Sequence, residues 1–376
     1  MAPCAALSLV GLLLLASCQP ASLQDLTNRN SDFATRLYRA VSSRTDDNVF
    51  LSVFTLSSAL LPLLSAAAGP TQDQLLQGLR LQGLDPQSLP DLFQSLRTAV
   101  QDGSLDMNLR QGAALLPRQG LQFGGNAQSL AYTSPLEAAS TINLLAQEWT
   151  GDTVRELVTD LDPQTQLLIA TAAAYQVKFS PSFNESLTQE ERFYVNKYRV
   201  VMVPMMFRAD KFFLAYDLGL KAGVLKLPMA GGAAMLVVLP DEDVDITSVE
   251  EAVTGDQIQT WIRQLKKTKL EVQLPRFLLE RSYSLRDVLQ TLNITQVFQE
   301  EADLSNMGEG EAVKLTQVFH KAVVTVADGD SAGGGASVFS TLPPRLTVNR
   351  PFIFVIYLQA SSAVLSIGRV IDASSK

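Results

Sequence analysis

The chain has 376 residues, 47% of them apolar and 18% charged, and 38 acidic against 30 basic side chains leave a net charge of −8. That balance argues against general nucleic-acid binding, which needs a basic face, while length and apolar content suffice for a large buried core. One histidine and two cysteines in the whole chain leave no His/Cys cluster of metal-binding spacing.

Residues 1–18, MAPCAALSLVGLLLLASC, carry no charge and hold an apolar run from Leu7 to Leu15, followed by the small Ala16 and Ser17. This reads as a secretory signal peptide, too short to span a bilayer, and predicts a secreted, extracellular product. Leu15–Cys18 also fits a bacterial lipoprotein signal; ordinary cleavage near Cys18 or Ala21 is the preferred reading. Cys4 and Cys18 both lie in or at the edge of that segment, so residues 19–376 have no disulfide framework and depend on their core. No linker, repeat or composition break divides them, and a single domain is expected.

Ser31 or Asp32 can cap an amphipathic helix with Phe33, Leu37, Tyr38 and Val41 on one face. Thr55–Ala68 reads as a buried apolar helix, kinked at Pro62 and ended by Gly69-Pro70. Short helices are expected over Thr71–Leu79 and Pro90–Val100, and the helical pattern resumes over Glu137–Leu157. Leu167–Val177 is largely apolar and predicts a central strand. Strands are expected over Tyr194–Met206, Phe212–Asp217, Leu225–Leu227, Ala233–Leu239 and Lys269–Pro275. Helices over Val249–Leu265 and Tyr283–Leu292 are interspersed among them, an order that suits an α+β domain. Asn184 and Asn293 open Asn-X-Ser/Thr sequons and are candidate N-glycosylation sites in a secreted chain. After Trp261, the cations Arg263, Lys266, Lys267 and Lys269 gather at the predicted end of a helix. Complementing the helix dipole explains them simply; a polyanion site is the sharper alternative.

Lys314–Val326 alternates and is rich in valine, as a strand would be. Pro351–Val370 holds two strand-like runs split at Gln359–Ser362. Between them runs a small, flexible stretch, Asp328–Ser340, closed by Leu342-Pro343-Pro344. Gly333, Gly334 and Gly335 give a resting strand nothing to pack, and a long loop strung between core strands is usually functional. Enzyme chemistry is not visible. His320, the lone histidine, sits in the strand-like segment before the loop and reads as structural. Gly231-Gly232 and the glycines of the loop lack the strand–helix setting and lysine of a phosphate loop. Asp241 and Glu242 read as solvated turn residues. No cofactor is implied.

Several segments, in order, resemble the serpin family. They are Asn48–Ser52 (with Val53 where proline is usual), Thr141–Asn143 leading to Thr150-Gly151, Arg192–Met206, and Val224–Pro228 followed by Met235–Pro240. The C-terminal part adds His320–Val324, a small-residue hinge, Pro343-Pro344, Asn349–Tyr357 and Ile367–Val370. The likeness, to the clade A plasma serpins, covers the chain from about residue 30 to 372, and it favours an ordinary signal peptide over a lipoprotein one. It implies a serpin fold: α+β, a large central mixed β-sheet plus further sheets, about eight helices, and an exposed reactive-centre loop over about 328–345.

The resemblance also implies a mechanism. A serine protease cuts the loop and forms an acyl-enzyme; the loop then enters the main sheet as an extra strand and carries the protease away, its active site deformed. The cut is expected just before Pro343-Pro344. Side-chain chemistry favours Phe339–Ser340, suited to a chymotrypsin-like or factor Xa-like pocket, whereas a gapless count favours Ser340–Thr341. The hinge is Asp330, Ser331, Ala332, Gly333, Gly334, Gly335 and Ala336, with Ser331 where the family has threonine. On insertion, period 2 points Ser331, Gly333, Gly335, Ser337 and Phe339 inward. A protein Z-like cofactor and heparin are the implied helpers, heparin at Arg263, Lys266, Lys267 and Lys269; Asp91–Arg110, with only Arg97 and Arg110 as cations, is a poor second site. A monomer is expected.

Three departures bear on function. Between Leu105 and Asn126 about a dozen helix-forming residues are missing relative to the family, a loss that neighbours must absorb in a marginally stable domain. Glycine replaces most hinge alanines, at about 0.5–1 kcal/mol each on ordering. The loop is shorter by about four residues, which removes about 13 Å of reach. The leading reading is a protease inhibitor. A non-inhibitory serpin (hormone carrier or signalling ligand) and an unrelated secreted binding protein are the alternatives.

Overall fold

The computed structural model describes residues 22–121, 128–307, 313–329 and 343–375. The signal segment with both cysteines, the hinge from Asp330 and both candidate scissile bonds lie outside them.

The first helix, α1 (Leu23–Ser42), starts at Ser22 rather than at Ser31 or Asp32. Ser22 Oγ accepts the Asp25 N–H at 3.1 Å and the Asp25 carboxylate accepts the Ser22 N–H at 3.0 Å, a reciprocal capping box. Its expected face is buried: Phe33, Leu37, Tyr38 and Val41. Strand β1 (Val49–Leu51) leads into α2 (Val53–Ala66), which contains Pro62. Gly69-Pro70 does not merely end it: the pair opens α3 (Gly69–Gly78), because proline costs nothing in a first turn. Next come α4 (Leu89–Met107), β2 (Leu109–Pro117), α5 (Pro135–Thr150) and β3 (Leu167–Val177). Among the described residues no helix lies between β2 and α5.

The second half runs β4 (Gln189–Tyr194), β5 (Val200–Asp217), β6 (Ala222–Pro228) and β7 (Ala233–Pro240). It continues with α6 (Ile246–Ala252), α7 (Gly255–Gln264), β8 (Lys266–Pro275), β9 (Phe277–Ser284) and α8 (Arg286–Thr291). The chain ends with β10 (Leu315–Val326), β11 (Arg345–Thr347), β12 (Phe352–Leu358) and β13 (Val364–Val370). Two expected strands are thus one long β5. The expected helix over Val249–Leu265 is two, because Val253 is extended and Thr254 caps the second, accepting the Gln257 N–H at 3.1 Å. Tyr283 and Ser284 belong to a strand, leaving a short helix after them.

Two mixed sheets result. One has nine strands, in the order β1-β13-β12-β7-β6-β5-β8-β11 with β4 beside β5; the other has four, β2-β3-β10-β9. With eight α-helices among the described residues, this is the expected α+β architecture. Aromatic rings lock the sheets together: Phe50 of β1 lies 5.7 Å from Phe354 of β12 and 5.4 Å from Tyr175 of β3, and Phe277 of β9 lies 5.5 Å from Phe354. Such contacts add to the area the rings bury.

A buried ion pair ties the nine-stranded sheet to the helices. Arg369 of β13 meets Glu250 of α6 at 2.8 Å, with side chains 3% and 5% exposed. Tyr38 of α1 donates to the same carboxylate, and Arg369 also donates to the Thr45 and Asp47 carbonyls. Removing one partner strands the other's charge. Arg369→Met should therefore cost about 3–5 kcal/mol in chemical denaturation, and adding Glu250→Gln should recover part of the loss.

Candidate functional site

The four-stranded sheet has an unusual centre. β3 and β10 are parallel and paired directly, from Leu167 opposite Leu315 to Val177 opposite Val326. Every other pair in this sheet is antiparallel. β3 contributes small side chains here, Ala170, Ala172, Ala173 and Ala174, and β10 sets Phe319, Lys321, Ala322 and Val323 opposite them. No other strand separates the two, so the seam is closed.

One histidine holds it shut. His320 on β10 is 1% exposed. Its Nε2 accepts the Ser52 N–H at 3.1 Å, and its Nδ1 lies 2.8 Å from Thr171 Oγ1 on β3. Thr171 Oγ1 donates to the Phe319 carbonyl at 3.0 Å. With Nε2 accepting and the threonine proton committed, the ring proton must sit on Nδ1. The ring also stacks on Tyr283, centroids 6.2 Å apart. His320 therefore crosses the seam and reaches the start of α2. Burial pushes its pKa down to about 3.

A second tie closes the top of the seam, where β10 runs out toward the loop. Asp328 is nearly sealed from solvent, its side chain 3% exposed against 31% for Arg276. It accepts Arg276 Nε at 2.8 Å, a further Arg276 N–H, and Thr188 Oγ1 at 2.8 Å. Arg276 reaches Glu185 at 3.3 Å as well. Its pKa is raised, chiefly by the hydrogen bond to Asp328. Gly329 donates to the Phe183 carbonyl at 3.2 Å and bridges to Asn184. The far end of the loop is pinned to the other sheet: the Glu271 N–H donates to the Pro344 carbonyl at 3.0 Å, and Arg345 pairs with Glu271 at 2.7 Å. Gly329 and Pro344, described residues on either side of the loop, are thus held on different sheets.

A lid covers the seam. α5 and the segment after it pack Ile142, Ala146, Val154 and Val158 over Ala170, Ala172 and Val323. Asn143 staples that segment to α5, accepting the Leu157 and Val158 N–H groups at 2.8 and 2.9 Å and donating to the Val158 carbonyl at 2.8 Å. A Cβ on Gly112 of β2 would stand 2.0 Å from the Trp149 ring, so only glycine admits the helix there.

The basic cluster does not sit at a helix end. Only Arg263 lies in the last turn of α7; Lys266, Lys267 and Lys269 are exposed on β8. The helix dipole cannot explain residues on a strand, and alternation puts Lys267 and Lys269 on one face with Lys266 on the other. Lys211 stands opposite Lys269, while Phe213 stands opposite both Lys267 and Lys226. Cross-strand register creates that grouping, and no local sequence pattern shows it. Of the sequons, Asn293 is exposed in a left-handed turn (φ +66°). Asn184 is half-buried, its side-chain oxygen accepting from Ser186 N and Oγ.

A sequence profile described as Serpin (serine protease inhibitor) matches residues 28–373. The chain is 31% identical over 372 residues to the human protein Z-dependent protease inhibitor, across 94% of this chain and 84% of that one. Its structure resembles the crystal structure of mouse protein Z-dependent protease inhibitor (TM-score 0.86, 30% identity, 93% of this chain and 98% of that one). It also resembles human thyroxine-binding globulin in complex with thyroxine (TM-score 0.82, 26% identity, 94% and 100%).

The folded-state pKa of His320 lies below its unfolded value of about 6.5. The unfolded chain then binds more protons between those limits, so stability is present above pH 6.5 and lost as pH falls toward 3. Comparing urea unfolding of the chain and of His320→Gln across this window should show a slope difference of up to about 1.4 kcal/mol per pH unit. Parallel pH profiles would remove the seam histidine as the cause.

Proposed function

This chain belongs to the serpin family, and we propose that it is a secreted, extracellular inhibitor of a serine protease rather than an enzyme. Family membership and the relatives' printed activity support protease inhibition; target, loop insertion and secretion are our own reading. The observation that carries it is the parallel β3–β10 seam. Parallel pairing is the weaker kind per residue. A strand that follows β10 and turns back lies antiparallel to both neighbours, so entry replaces one parallel ladder with two antiparallel ones. The residues that lead out of β10 are those of the proposed reactive loop.

In this reading residues 1–18 are a signal peptide and 19–376 one serpin domain. The protease cuts after Phe339, or after Ser340, and is trapped as an acyl-enzyme. Asp330–Ala336 then fold between β3 and β10. Phe339 suits a coagulation protease such as factor Xa, or a chymotrypsin-like one. The relative's name suggests a protein Z-like cofactor; Arg263, Lys266, Lys267 and Lys269 would meet heparin, and the chain acts as a monomer.

One observation favours the second reading, a non-inhibitory serpin such as a hormone carrier or signalling ligand. β3 is 11 residues long. After a cut behind Phe339, residues 330–339 can follow β10, and with about two spent on the turn, about eight remain to pair, or about 27 Å at about 3.4 Å each. The inserted strand then stops short of the far end, and the protease is carried less far. The likeness to a thyroxine carrier agrees with that alternative.

Incubation with factor Xa and with chymotrypsin, read by SDS gel and by the mass of the released C-terminal peptide, separates the readings. An SDS-resistant complex with release beginning at Ser340 is the expected result. Clean cleavage without a complex would make the chain a substrate and favour carrier or ligand. For the sequons, exposure predicts that chain secreted from animal cells loses mass at Asn293 when an amidase removes N-glycans, with lower occupancy at the half-buried Asn184.

A further inference from the structure

A cavity of about 260 Å³ opens where the turn after β3, the middle of β5, the end of β6 and the start of β8 meet. Its floor is built on Arg208, whose side chain is 8% exposed. The guanidinium is held between two rings, 4.5 Å from the centroid of Phe212 and 5.1 Å from that of Phe183. One terminal nitrogen donates to the Pro181 carbonyl. Nε is different: it is sealed from solvent and has no hydrogen-bond partner among the described residues. Asp210 stands 3.8 Å away, too far for a hydrogen bond, and its other oxygen accepts the Lys211 N–H at 2.7 Å. A desolvated arginine with an N–H uncommitted among the described residues, beside a cavity, is unusual, because leaving such a donor unmade is costly.

The rest of the lining shows what would complete it. Lys211 and Lys267 are exposed at the mouth, the latter 5.9 Å over the Phe213 ring. With Arg208 they make three cations against the single carboxylate of Asp210. Phe212, Phe213, Pro181 and Pro228 supply flat apolar walls. Drug-sized ligands occupy about 300–1,000 Å³, so this cavity suits a body of one or two rings. An arginine fork matches the planar or trigonal oxygens of carboxylate and sulfonate.

We propose that this cavity binds a small aromatic anion, with its carboxylate or sulfonate-type head on Arg208, its rings against the Phe212–Phe213 and proline walls, and Lys211 and Lys267 closing over the head. A long polyanion would instead lie across the outer lysines and would not need the buried arginine. Binding here does not presuppose protease trapping, although Phe183, whose ring packs on Arg208, also gives Gly329 its carbonyl.

Isothermal titration of the full chain with naphthalene-2-sulfonate and naphthalene-2-carboxylate tests the idea, with neutral naphthalene-2-methanol as the matched control. One site per chain is expected, with at least one anion held at least tenfold tighter than the alcohol. The exposed pair Lys211→Gln/Lys267→Gln, which leaves the packing intact, should weaken it about fivefold to tenfold, and Arg208→Met about tenfold or more. Failure of both anions to bind, equal binding of the alcohol, or unchanged affinity in the lysine variant would overturn the proposal.

Discussion

The closed parallel pair of β3 and β10 is the constraint on which the rest of the molecule depends. A parallel ladder in a small mixed sheet is secured only if something else fixes both strands. Here the fixing groups are few and separable. His320 bonds across to Thr171 and to the start of α2. Asp328 anchors the exit of β10 to Arg276. The alanines of β3 set little side-chain bulk against β10. Each tie is polar and directional, so it is strong in one geometry and lost in another.

The neighbours share that division. On one side β2 and β3 carry α5, which Trp149 seats on Gly112. On the other, β10 and β9 are bound to the core through Phe277 and, at His320, to the start of α2; the first half reaches the same helix start, Tyr175 of β3 lying 2.9 Å from Ser52 Oγ and Gln111 of β2 accepting from Thr55. In the proposed reading, opening the seam would separate two two-stranded halves, with the cover of Ile142, Val154 and Val158 moving with the first. β2 pairs along its length with β3 alone, apart from the short bridge of Arg118 to Leu130. With no helix described between β2 and α5, the moving half is narrow. Leu136 and Leu144, 85% and 60% exposed on α5, show apolar surface that this face leaves uncovered.

Much of this was legible from the chain, and the exceptions share a cause. Leu167–Val177 was readable to the residue because a buried central strand is apolar along most of its length, here all but Thr171 and Gln176. The split at Gln359–Ser362 marked the turn between β12 and β13. β9 was missed because Glu280 and Arg281 make its middle look solvated; its identity comes from pairing with β10. α1 was shortened because Ser31 and Asp32 offered a cap, yet Ser31 lies inside the helix, its hydroxyl donating to the Thr27 carbonyl at 2.9 Å. Arg276–Asp328, Thr171–His320 and Lys211–Lys269 leave no local trace: each joins segments far apart in sequence. The site's contents were legible as residue types, and its wiring was not.

If the loop inserts as proposed, the balance turns on where the chain is cut. Fixing each residue of a new strand costs about 1–2 kcal/mol in backbone entropy, and glycines at 333, 334 and 335 add about 0.5–1 kcal/mol each. New hydrogen bonds return only about 0.5–1.5 kcal/mol apiece, net of water. Side chains must supply the remainder, and Ser331, Gly333, Gly335 and Ser337 bury almost nothing. Val338 and Phe339 are the large apolar residues of the segment, each contributing about 1.5–3 kcal/mol if fully buried. They also lie last, so they contribute only if the strand has already entered most of the way. In the proposed reading, cleavage behind Phe339 would free both to follow the hinge inward, with the acyl-linked protease attached to the phenylalanine itself. The residue proposed to attract the protease would then also be the one whose burial drives the final step, and any contact the protease kept with that ring would oppose insertion directly.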